Sequence, residues 1–295
     1  MQRFIDPTVL AGISGLDLVA KTVVDGFIAG LHRSPNFGFS QEFAEYRAYA
    51  PGDDLRHIDW NVFARTERAY LKRYRGETNT LLTVFLDASN SMKYASHAVS
   101  KMDYARYTAA SLFYLTIQTQ RDAAGLIVFD DELRNYIRPS NRQGQFHRLL
   151  SGLEHAEPGA RTDFAKPLDH FQEFVRRRGL VVIISDFYEA PAKVIRTLEP
   201  LRFRGNEVVL FHILDPKEVR PELRGPTTLV DLETQETLEV SPEYARLEYA
   251  QKIDAHIEAL RDGARGSGMD YHLLVTNHPL DDALREYLAI RQGRS

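Results

Sequence analysis

Leu81-Leu82-Thr83-Val84-Phe85-Leu86-Asp87-Ala88-Ser89-Asn90-Ser91 is the stretch whose reading decides the fold. Its first six residues are aliphatic, aromatic or β-branched and carry no charge. A strand of that kind is buried on both faces, as in the parallel sheet of an α/β protein. Its end delivers three oxygen-bearing side chains, Asp87, Ser89 and Ser91, at alternate positions. Ligand sites of open α/β sheets lie just beyond the carboxyl ends of their strands. Asp-x-Ser-x-Ser is short and weak by itself, so the rest of the chain must supply the other half of a site.

Downstream, helix and strand alternate. Residues 97–119 carry apolar side chains at helical spacing. Residues 123–129 read as a second apolar strand, Asp130-Asp131 as a turn, and 133–137 as a short strand beside it. A helix over 143–153 breaks at Pro158-Gly159, and the loop that follows holds Thr162. A helix over 164–178 ends in Arg176-Arg177-Arg178 and Gly179, which suits a helix C-terminus. Residues 180–186 then repeat the opening design, a bare apolar strand ending in Asp186. Further helices are expected over 191–203, 242–265 and 280–290, with strands over 207–214 and 271–276. Two β-like pieces within 226–240 read as an inserted hairpin. Such alternation predicts an α/β, doubly wound, mainly parallel sheet with helices on both faces. A small β-containing region, built from the N-terminal segment and the 226–240 hairpin, is expected beside it.

Upstream, residues 9–31 place Asp17, Lys21 and Asp25 on one helical face and Leu16, Val19, Val23 and Phe27 on the other. That is an amphipathic helix docking on its own domain, not a membrane span. The start of the chain has no secretory-signal pattern. With 295 residues, 43% hydrophobic and 26% charged, the chain can bury a sizeable core. A net charge of −4 gives no electrostatic case for nucleic acid or an acidic membrane. Basic residues interleaved with aromatics between 56 and 77 are balanced by Asp53, Asp54, Asp59, Glu67 and Glu77. The absence of cysteine excludes disulfides and thiolate chemistry and suits a cytoplasmic location.

A doubly wound sheet brings the Asp87/Ser89/Ser91 turn, the Thr162 loop and Asp186 to one edge. The set is two carboxylates and three hydroxyls. All-oxygen donors suit a hard divalent cation, Mg2+ first and Mn2+ or Ca2+ next. The competing reading gives Ser89 and Ser91 to capping of the following helix.

The pattern Asp87-x-Ser89-x-Ser91, a loop Thr162 and a strand-end Asp186 resembles the metal-ion-dependent adhesion site of von Willebrand factor A domains. The run from Arg47 through Tyr49, Pro51, Gly52, Asp53, Asp54, Arg56, Ile58 and Asp59 to Trp60, with Arg65 after it, is more specific. It resembles the signature of domain of unknown function family fifty-eight, a bacterial von Willebrand factor A-like family associated with MoxR-type AAA+ ATPases. The resemblance implies metal ligation at those five oxygen positions. It also implies an adaptor that grips an acidic side chain on a partner protein and works with such an ATPase. It assigns no role to Arg47, Tyr49, Asp53, Asp54, Arg56, Asp59, Trp60 and Arg65. The physical reading for Arg47, Asp53, Asp54, Arg56, Asp59 and Trp60 is a rigid polar network that fixes the small β region to the A-like domain, with direct partner binding as the alternative. The expected division is 1–77 for the helix and β region with the signature, and 78–295 for the A-like domain.

A P-loop and a Gly-x-Ser-x-Gly elbow are both absent. The expected activity is therefore binding rather than catalysis. A metal-dependent hydrolase at the same site is the alternative.

Overall fold

A computed structural model describes residues 6–31, 43–48, 62–63, 69–74, 81–159, 177–223, 225–232 and 236–292. Its contacts divide the chain into two units, 1–27 with 80–295, and 28–79. The first 27 residues thus join the α/β unit, whereas the sequence reading grouped them with the β region. The reason lies in the helix itself. In α2 (Leu16–Leu31), Leu16, Val19, Ala20, Val23, Val24 and Phe27 are buried, while Asp17, Lys21 and Asp25 face solvent. The single helix expected over 9–31 is two. A short α1 (Pro7–Leu10) is capped by Asp6, whose carboxylate accepts from the Thr8 amide at 2.8 Å. Gly15, at φ 94, then redirects the chain into α2, a conformation open to glycine.

In the smaller unit, β1 (Phe43–Ala48) and β2 (Tyr70–Tyr74) pair antiparallel, with Arg47 opposite Leu71.

The larger unit is built on six strands in the order β10-β7-β6-β3-β4-β5. They are β3 (Leu81–Asp87), β4 (Ala123–Phe129), β5 (Leu133–Ser140), β6 (Leu180–Ser185), β7 (Glu207–Leu214) and β10 (Asp270–Val275). All pairings are parallel except that of β5 with β4. The fold is the doubly wound α/β class expected. Strands β3, β4, β6 and β7 are buried along nearly their whole length, as predominantly apolar runs require. Each fully buried Val, Leu, Ile or Phe contributes about 1.5–3 kcal/mol, so these strands carry the stability of the unit.

On one face, Phe85, Ile127, Ile183 and Leu210 pack against α5 (Pro191–Phe203) through Val194 and Leu198, and against Leu260 and Ala264. The last two belong to α8 (Ala250–Gly266). The alternate residues of the strands meet α3 (Lys101–Phe113), which packs in turn on α4 (Gln145–Glu154) and α9 (Asp281–Gln292). The helix expected over 97–119 begins only at Lys101, because Ser100 caps it there. Its last part, Tyr114–Thr119, is a wider turn. The helix expected over 242–265 is likewise divided into α7 (Pro242–Tyr244), a wide turn Ala245–Tyr249, and α8. A short α6 (Pro216–Val219) follows β7.

The inserted hairpin is present as β8 (Thr227–Val230) and β9 (Thr237–Val240), antiparallel, in a two-stranded sheet of its own. It does not share a sheet with β1 and β2.

Candidate metal centre

β3 has β4 on one side and β6 on the other. The chain leaves β3 in one direction and returns to its opposite flank. That is a topological switch point, where the loops part and a crevice opens. Asp87 closes β3 and Asp186 follows β6, and both are fully buried. Ser89 and Ser91 lie on the turn beyond β3 and are buried with them.

The serines separate the two readings left open by the sequence. Ser89 precedes a 3-10 turn, Asn90–Lys93, with extended backbone, yet its side chain makes no capping bond. Its Oγ lies 3.0 Å from Ser91 Oγ. The cap of α3 is Ser100, whose hydroxyl accepts from the Asp103 amide at 3.0 Å. The paired hydroxyls of Ser89 and Ser91 are thus not spent on helix capping.

Asp87 accepts from the Ser89 amide at 2.8 Å and from the Ser185 hydroxyl at 2.5 Å. Burial, and then the charge of Asp186, push its carboxyl up to about 7, against the pull of the bonds from Ser185 and Ser89. Two facing buried carboxylates are relieved by a proton or by a cation. The chain leaves β6 through Phe187, which holds a left-handed φ of 46. That conformation is strained for a side chain of its size. It brings the Phe187 amide to Ser185 Oγ at 3.0 Å, so one hydroxyl bridges the turn and Asp87.

Asp186 accepts from Lys101 Nζ at 2.7 Å, and the same ammonium donates to Glu218 at 2.7 Å. Burial pulls the Lys101 pKa down, but Asp186 and Glu218 outweigh it and the net shift is upward.

The described stretch that precedes Thr162 in the chain ends at the same place. The Gly159 amide donates to the Ala88 carbonyl at 2.8 Å. A Cβ at Gly159 would sit 2.8 Å from Asp130 Oδ2, so any side chain there would have to displace that carboxylate. Thr162 itself lies outside the described residues, as do Tyr49, Asp53, Asp54, Arg56, Asp59, Trp60 and Arg65. Arg47 is described as backbone in β1. Asp87, Ser89, Ser91 and Asp186 all lie buried at the carboxyl ends of the neighbouring strands β3 and β6.

Lys101, Ser185 and Glu218 were missed by the sequence reading. Ser185 stood beside Asp186 and could have been included by adjacency alone. Lys101 gave no signal, because lysines on helices are mostly exposed. Among the described residues no three His, Cys, Asp or Glu side chains are grouped to hold a metal. The set at hand is two carboxylates with two hydroxyls. Its chemistry fits a hard cation that keeps several waters. No described helix is long and apolar enough to cross a membrane.

Uncharacterized proteins of Mycobacterium bovis and Mycobacterium tuberculosis are each 30% identical to the chain over 292 residues, which is 98% of this chain and 92% of those proteins. Among solved structures, the conserved hypothetical protein BatB from Bacteroides thetaiotaomicron is similar in fold. Its TM-score is 0.50 and its identity 14%, over 73% of this chain and 100% of that one. A von Willebrand factor type A structure from Catenulispora acidiphila matches 71% of this chain and 42% of its own. Its TM-score is 0.41 and its identity 11%. The profile of the family described as protein of unknown function DUF58 matches residues 45–259, and the chain belongs to that family.

Proposed function

We propose that the chain is a non-enzymatic, Mg2+-dependent protein-interaction adaptor of the cytoplasm. Asp87, Ser89, Ser91 and Asp186, joined by Thr162, would hold the cation. The bound cation supplies a Lewis acid for a carboxylate on a partner protein. The MoxR-type AAA+ ATPase implied by the family resemblance is the proposed companion, with the acidic partner as the client presented to it.

One observation carries the reading. Ser89 sits at a capping position without capping, and its hydroxyl pairs with that of Ser91 beside a buried carboxylate. Buried hydroxyls not spent on capping, beside a buried carboxylate, form a donor set that suits a hard cation. Each of this chain's residues then has a stated task. Ser185 holds Asp87 by its Oδ2, and the Ser89 amide holds the other oxygen. Lys101 holds Asp186.

The test is a pair of short peptides that differ only in one Glu or Gln, titrated in Mg2+ and again in EDTA. Binding of the Glu peptide in Mg2+ alone is expected. Equal binding of both peptides, or binding that survives EDTA, contradicts the proposal. Turnover of phosphoesters or peptides in Mg2+ or Mn2+, abolished by Asp87→Ala, would put a hydrolase in the adaptor's place.

A further inference from the structure

Lys101 is in an expensive position. It is 0% exposed, and its Nζ lies 2.7 Å from both Asp186 Oδ2 and Glu218 Oε1. The ring of Tyr188 lies beneath it, 4.8 Å from Nζ to centroid. It is also the first residue of α3, where the helix dipole disfavours a cation. A buried ion pair gains little over an apolar replacement of the same shape. Stability therefore gives a weak reason for this ammonium.

Its partners show what it connects. The far oxygen of Glu218 accepts from the Asp215 amide at 2.9 Å, so Glu218 is fixed to the cap of α6. Lys101 thereby ties Asp186, at the crevice, to a rigid turn on the next strand end. It also places one positive charge directly on one of the two crevice carboxylates.

We propose that Lys101 is a positioning and charge-setting residue of the crevice. Its ammonium offsets Asp186, so that a divalent cation meets less negative charge at these strand ends and keeps positive charge for an incoming carboxylate. The proposal rests on the metal reading above. Its consequence is a site that holds metal weakly by itself and more firmly when a carboxylate arrives. Glu218 shares the same ammonium and so limits how far Lys101 offsets Asp186.

Opposite signs make this testable. Calorimetric titration with Mg2+ is run on the wild type, Lys101→Met, Glu218→Gln and the double variant, each with and without acetate. Lys101→Met removes the nearby positive charge and is expected to tighten Mg2+ by at least about tenfold, as a unit charge several ångströms from a divalent cation implies even at high effective dielectric. Glu218→Gln frees the ammonium for Asp186 and is expected to weaken Mg2+. Acetate is expected to tighten Mg2+ in the wild type and to do so less in Lys101→Met. The double variant removes one charge of each sign and serves where Lys101→Met fails to fold. It is expected to bind Mg2+ more tightly than the wild type, by less than the single variant. A merely structural lysine would weaken binding in every variant, and that result overturns the proposal. Heat in the wild type without tightening in either Lys101 variant does the same and leaves the metal reading standing. Absence of heat in all four proteins removes the metal reading and this proposal with it.

Discussion

Asp87 and Asp215 occupy equivalent places, each at the carboxyl end of a parallel strand and each 0% exposed. Their surroundings have opposite characters. Asp215 is used up by backbone. Its two oxygens accept from the Lys217 amide and the Ser96 amide, both at 2.8 Å, and its own amide is held by Glu218. It makes a capping box for α6 and fixes the neighbouring turn. Asp87 faces a second acid and a pair of serine hydroxyls that cap nothing. Both oxygens of each acid are bonded, but Asp215 is held by two backbone amides, whereas Asp87 is held by one amide and the Ser185 hydroxyl beside a second buried acid. A strand-end acid is therefore informative only when its oxygens are accounted for one by one.

Substitution separates the two acids most strongly at Asp87. Its folded pKa, about 7, lies above the ordinary 3.8. The stability linked to its proton is present below about pH 4 and is lost as pH rises toward 7. Asp87→Asn in EDTA at pH 8 is expected to stabilise the fold by roughly 2–4 kcal/mol in chemical denaturation, with no gain at pH 4. His212 works against this slope. Burial, with His256 and Lys101 adding to it, pushes His212 down to about 3. Its contribution is present above about pH 6.5 and is lost as pH falls. Between about pH 4 and 6.5 the two slopes oppose each other, so the wild type should change little there. Asp87→Asn should uncover a loss of stability as pH falls below 6.5. A steep slope in the wild type over that range would break this account of the pair.

Asp215→Ala should act in the other direction. It strands two backbone amides and a helix cap, and is expected to cost about 2 kcal/mol. That loss should appear at pH 8, with or without Mg2+. A gain at pH 8 would mean that Asp215 is no cap.

The serines provide the finest comparison. Ser100→Ala removes a real cap and should cost about 1 kcal/mol. Ser89→Ala should cost only a few tenths of that in EDTA, yet weaken Mg2+ binding. Equal costs for the two would return Ser89 to a capping role.

The same accounting explains what could be read from the chain. Strands β3, β4 and β7 are legible to the residue, because nearly unbroken apolar runs bounded by charged or turn residues have few other uses. Helix ends were less so. The start of α3 at Lys101 depends on which of several serines caps it, and pattern alone does not choose. Asp87, Ser89, Ser91 and Asp186 could be placed together, since topology sends strand ends to one edge. The Lys101–Glu218 pair could not. It joins residues 117 apart through a lysine that any helix would be expected to expose.

The central claim is that the Asp87 crevice takes a cation while the Asp215 turn does not. Calorimetric titration of Mg2+, with acetate as the carboxylate, into the wild type, Asp87→Ala/Asp186→Ala and Asp215→Ala tests it most directly. The account predicts heat in the wild type and in Asp215→Ala, and none in Asp87→Ala/Asp186→Ala. Equal heats in the wild type and Asp87→Ala/Asp186→Ala, or none in the wild type, would contradict it.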